Sequence, residues 1–62
     1  MYFNVVKRTV ESKNYVKIVK MIPCYGYDDD FSREKAQLYC NIRNMSRIFQ
    51  DKYYYVVEFD FE

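Results

Sequence analysis

The chain has 62 residues, half of them hydrophobic and 21% aromatic, with a net charge of +1. Such a length supports one small core, so a single domain over 1–62 is expected, without room to enclose a substrate. The near-zero charge excludes strong whole-molecule attraction to nucleic acid or an anionic membrane, and the aromatic content excludes a disordered chain.

There is no histidine, which removes the commonest general base and the commonest zinc ligand. A single Gly leaves no glycine-rich phosphate loop. The chain therefore reads as a non-enzyme, with no cofactor and no metal expected. Cys24 and Cys40 allow one disulfide by arithmetic. The start Met1-Tyr2-Phe3-Asn4 lacks the basic residues and apolar run of a secretory leader, so two reduced thiols and a cytoplasmic location are expected. No apolar run approaches the roughly 20 residues that span a bilayer, and no membrane role is expected.

Residues 2–10 read as a first strand, rich in aromatic and β-branched types. Phe3 and Val5 continue one face, while Val6 and Val10 fall on the other. Residues 11–14 are a polar break, in which Asn14 suits the left-handed backbone of a tight turn. Residues 15–22 read as a second strand, with Val16, Ile18 and Ile22 on one face and Tyr15, Lys17, Val19 and Met21 on the other. The two strands make an antiparallel hairpin.

Residues 23–31 hold the only Pro and the only Gly, so they form the main loop. Tyr25 and Tyr27 flank Gly26, and Asp28, Asp29 and Asp30 follow. One reading is a solvated connection whose carboxylates approach a helix N-terminus, where negative charge is favoured. The other is a recognition loop, with Tyr25, Tyr27, Asp28, Asp29 and Asp30 as candidate partner-binding residues, because tyrosine supplies rigid amphipathic contact area. Three adjacent Asp do not match the alternating ligand spacing of a calcium loop.

The spacing predicts a helix over 33–49. Ser32 is the expected N-cap, Glu34 sits favourably in the first turn, and Phe31 with Ala36 forms a hydrophobic staple. Leu38, Ile42, Met45 and Phe49 recur at helical intervals, in line with Phe31, and are expected to pack on the sheet. The opposite face carries Arg33, Ala36, Cys40, Arg43 and Arg47. It reads as a solvated outer face. Alternatively Arg33, Arg43 and Arg47, with Lys7 and Lys17, make a ridge for phosphate or nucleic acid.

Residues 52–62 are the last strand. Tyr53, Tyr55, Val57, Phe59 and Phe61 alternate with Tyr54, Val56, Glu58, Asp60 and Glu62. The expected architecture is α+β with order β-β-α-β, a three-stranded sheet with one helix packed on one face. Strand order 2-1-3 is preferred, because it sets Glu58 and Asp60 beside Lys7 and Arg8; order 1-2-3 is the alternative. The uncovered face then exposes Tyr54 and Val56, an expected homodimer interface.

In outline the chain resembles the very small proteins that bacteriophages and other mobile elements encode to block or redirect host machinery, including defence inhibitors. The resemblance rests on the hairpin over 2–22, the helix start Phe31-Ser32-Arg33-Glu34-Lys35-Ala36 and the strand Tyr53-Tyr54-Tyr55-Val56-Val57-Glu58. It covers the whole chain and carries over no functional residue. It implies stoichiometric binding to a host protein, or sequestration of a small ligand, rather than turnover. The expected function is a non-catalytic inhibitor of, or adaptor to, a host protein. A small nucleic-acid-binding module, or a protein sequestering a nucleotide-like ligand, is the alternative.

Overall fold

The computed structural model describes residues 1–46 and 52–62. It contains β1 (Tyr2–Thr9), β2 (Tyr15–Pro23), α1 (Asp30–Ser46) and β3 (Tyr53–Asp60). The sheet order is β2-β1-β3, with β1 antiparallel to both neighbours. The helix packs on one face of the sheet, and the α+β architecture and the strand order are those expected from the sequence.

The hairpin closes through Thr9. Its N–H donates to the Asn14 carbonyl at 2.9 Å, and its own carbonyl accepts from Lys13 N–H at 2.9 Å. The Thr9 hydroxyl also accepts from Asn14 N–H at 3.0 Å. Asn14 is thus fixed to Thr9 just before β2 begins, and the left-handed residue is Lys13, at φ 57°, instead of Asn14.

Two register shifts break the alternation of β2. Val5 pairs with Lys20 and Val6 with Ile18, so Val19 is surplus; Lys7 pairs with Lys17 and Arg8 with Tyr15, so Val16 is surplus. Each bulge moves the following residues to the other face. Ile18 and Ile22, expected on one face, therefore separate. Ile22 is buried under the helix, while Ile18 is exposed on the far side.

The core is formed by Phe3, Val5 and Ile22 of the sheet with Ala36 and Cys40 of α1. Val19, Cys24, Tyr39, Tyr55, Val57 and Phe59 pack around it. Burial of Phe3 and Val5 contributes about 1.5–3 kcal/mol each. The last strand turns the expected residues towards the helix.

The helix itself is turned the other way from expectation. Leu38 is 61% exposed, Ile42 53%, Met45 80% and Phe31 78%. They do not form the core, and Phe31 makes no staple with the buried Ala36. The buried stripe is Ser32, Ala36 and Cys40, spaced four apart, and it includes the Ala36 and Cys40 expected to face solvent. The physical reason is side-chain size. Small residues let the helix axis approach a sheet whose own rings fill the space between, and larger residues on that side would hold it off. Phe49 and Arg47 lie outside the described residues.

The helix also starts earlier than expected, at Asp30. Asp29, not Ser32, is its N-cap. The Asp29 carboxylate accepts from Ser32 N–H at 3.2 Å and from the Ser32 hydroxyl at 2.9 Å. An Asp ranks with Ser as a cap, and this one also gains the Tyr25 N–H as a donor, at 3.1 Å.

Candidate functional site

The loop after β2 presents its side chains unequally. Tyr25 is 96% exposed, and Asp28 and Asp30 are exposed. Asp29 is turned inward to cap α1. Hydrogen bonds from Tyr25 N–H and Ser32 N–H, then from the Ser32 hydroxyl, hold its carboxyl below the usual value. Asp30 pairs with Arg33 at 2.8 Å. Of the predicted contact residues, Tyr25 and Asp28 are therefore the most available to a partner.

Tyr27 is exposed but also structural. Its ring lies 5.4 Å from Phe59 in an edge-on arrangement and 6.4 Å from Phe3. Phe3 and Phe59 are 5.3 Å apart, and Phe61 stands edge-on to Phe59 at 6.4 Å. The Arg33 guanidinium covers this cluster, 4.9 Å from the Tyr27 ring and 5.6 Å from Phe3, and donates to the Tyr27 carbonyl. Arg33 thus holds the loop on the sheet.

Arg43 also lies towards the sheet, with its guanidinium 5.2 Å from the Tyr55 ring and 6.0 Å from Tyr39. The Lys20 ammonium sits 5.9 Å from the Tyr39 ring, and the Lys7 ammonium 4.3 Å from the Tyr53 ring. Lys7 and Lys17 are direct cross-strand partners, a like-charge arrangement that costs stability. Lys7, Lys17 and Lys20 on the sheet and Arg43 on α1 thus lie around Tyr39, Tyr53 and Tyr55. Their common location follows from the strand register, which a single sequence does not reveal.

The topology sorts charge along the 34 Å long axis. The hairpin end collects Lys7, Arg8, Lys13, Lys17, Arg43 and Lys52, with Glu11 the acidic residue among those described. The opposite end collects Asp28, Asp29, Asp30, Glu34, Asp60 and Glu62, with Arg33, which pairs with Asp30, and Lys35 among them. Arg8 reaches across to β3, where it pairs with Glu58 at 2.7 Å, and donates to the Lys13 carbonyl at 3.0 Å.

The sheet edges are guarded. On β3, the Asn44 carboxamide donates to the Tyr55 carbonyl at 3.0 Å and accepts Tyr55 N–H at 2.9 Å. On β2, two bulges, Lys17, Lys20 and a terminal Pro23 discourage pairing. On the sheet face away from α1, Tyr54 and Val56 are half-buried, with Val56 paired to Val6. Asn4 on that face is buried and donates to Asp60 at 3.5 Å.

Cys24 and Cys40 are both free thiols. Burial pushes the Cys40 thiol up from its ordinary value, partly offset by a hydrogen bond from Asn44. Among the described residues no group of three or more His, Cys, Asp or Glu side chains is placed to hold a metal ion. No helix among them is long and apolar enough to cross a membrane.

No protein-family model, curated protein sequence or solved structure matches the chain.

Proposed function

We propose that the chain is a small non-catalytic binding protein that acts stoichiometrically on a host protein, as an inhibitor or adaptor of the anti-defence kind. The observation that carries this reading is the display of large side chains that the fold leaves outside. Tyr25 stands 96% exposed in the same loop as the exposed Asp28. Aromatic residues next to exposed acids form a surface suited to a protein partner with an apolar pocket and a basic rim. The active form is a homodimer working inside the cell.

The test is recovery of a partner from host cells with the tagged wild-type chain and with a Tyr25→Ala/Asp28→Lys variant. Both positions can change without touching the aromatic cluster that Tyr27 supports. Wild type should retain one host protein in stoichiometric amount, and the variant should lose it. A variant that keeps the same partner removes the loop from the contact.

A second reading is favoured by the cationic end. Lys7, Lys17, Lys20 and Arg43 surround Tyr39, Tyr53 and Tyr55, a combination that suits phosphates with stacked bases. Oligonucleotide binding that weakens steeply with salt would establish it.

A further inference from the structure

We propose that the exposed stripe of α1 is a self-docking surface, which two copies bring together as an antiparallel helix pair about a twofold axis at Leu38. Phe31 and Met45 stand seven residues to either side of Leu38, which is itself the midpoint of the helix. The seven-residue spacing places all three on one straight seam, with Ile42 beside it at the three–four interval of helix-on-helix packing. Over these two heptads the spacing suits a helix that meets another helix lengthwise, with Glu34 and Lys35 at the positions equivalent to Asn41 and Ile42. In an antiparallel pair centred on Leu38, Phe31 of one copy meets Met45 of the other, so both ends of the seam are filled.

The area is adequate. At about 200 Å² for a fully exposed large side chain, these four residues present roughly 500 Å² per copy. A pair would bury about 1,000 Å² in total from them alone, the lower bound for a specific interface. Flanking residues add to it. The stripe is about a tenth of the chain's 4719 Å² surface, the usual share for one partner.

Charge selects the orientation. The first turns of α1 and the preceding loop carry Asp28, Asp29, Asp30 and Glu34 against Arg33, which pairs with Asp30, and Lys35, a net acidic end. Arg43 lies in the last turn, and Lys7 and Lys17 are on the sheet near it. An antiparallel pair sets the acidic end of each copy over the cationic end of the other and opposes the helix dipoles. A parallel pair sets like over like. Two bulges with Lys17 and Lys20 on β2, and Asn44 at Tyr55 on β3, interrupt the sheet edges. The product is a four-layer sheet–helix–helix–sheet arrangement with both Tyr25 loops at its ends, accessible to a host protein.

The experiment is sedimentation equilibrium on the purified chain, without any partner. Wild type should form a two-chain species at tens of micromolar, and its dissociation constant should rise several-fold between about 0.05 and 0.5 M salt as the end-to-end attraction is screened. Leu38→Glu and, independently, Met45→Glu should sediment at one-chain mass with unchanged circular dichroism, since both side chains lie outside the core. Val56→Glu should remain dimeric. One-chain mass for wild type across the range overturns the proposal and gives the stripe to a foreign protein. Dissociation by Val56→Glu but not by Leu38→Glu overturns it in favour of the sheet face. Salt-independent association overturns the antiparallel orientation. The purified chain is used alone, so a monomeric result leaves the host-protein reading to its own recovery experiment.

Discussion

The Asn44 carboxamide and the Tyr55 main chain form a two-point pair, N–H to oxygen in both directions, at 3.0 and 2.9 Å. A side-chain amide thus stands where the next strand of the sheet would be. The contact joins the last turns of α1 to the outer edge of β3. Asn44→Ala leaves both Tyr55 groups without it in a half-buried place, at a cost of about 1–3 kcal/mol. Asn44→Asp keeps the acceptor and loses the donor, and should be comparably damaging. Urea unfolding measures both; a midpoint unchanged in Asn44→Ala would show that the pair is replaced by water without loss.

The buried stripe of α1 predicts an inverted pattern of core sensitivity. Ala36→Leu should destabilise by about 1–3 kcal/mol, because the added side chain must lift the helix from Phe3 and Val5. Leu38→Ala should cost less than about 1 kcal/mol when measured at sub-micromolar concentration. Thermal melts of the two variants check the sign, and a larger loss for Leu38→Ala would restore the apolar stripe to the core.

Acid should remove the contribution of the Asp29 cap. The folded carboxyl is held below its ordinary value of 3.8, so its stabilisation is fully present above that value and is lost as pH falls through the folded one. Asp29→Ala lacks this component at every pH. The melting-temperature gap between wild type and Asp29→Ala should therefore be widest near neutrality and close below about pH 3.8. A gap constant to pH 2 would show that the cap acts only through shape.

The two thiols should respond differently to alkylation. Cys40 is buried and its thiol is raised by that burial, so native protein at pH 8 should take up reagent at Cys24 alone. Unfolding in urea should release the second site. Intact-mass measurement reads the count directly. Rapid double labelling of the folded chain would mean that α1 lifts off the sheet on the timescale of the reaction.

The strands were legible because their residues report on both neighbours. In β3, Tyr55, Val57 and Phe59 turn to the helix as their alternation requires, and the charge match that favoured order 2-1-3 appears as the Arg8–Glu58 pair. Lys7, by contrast, points to the other face and reaches Tyr53. The helix was legible as a helix but not in its orientation. Periodicity locates an apolar stripe and says nothing of what covers it, so it points Leu38 and Met45 to the core, and Ala36 and Cys40 to the surface. The sequence points to Ser32 as the cap because a Ser directly before Arg33-Glu34 matches a helix start; the capping Asp29 is selected only by the path of the loop, which brings its carboxylate to Tyr25 and Ser32. The bulge residues Val16 and Val19 carry no local mark. The loop residue Tyr25 was legible as exposed, whereas the second role of Tyr27 depends on rings distant in sequence.

The surplus residue in β2 bears on how the gene tolerates change in length. Val19 has no opposite number in β1, so the ladder on either side of it is already complete. Loss of that one codon should join Ile18 directly to Lys20 in an unbroken strand and sacrifice only one side chain at the margin of the core. Loss of a codon for Asn4 or Val5, in the central strand paired on both sides, should instead reverse the facing of everything beyond it. Among single-codon deletions within the sheet, position 19 is thus expected to be one of the few that a folded protein survives.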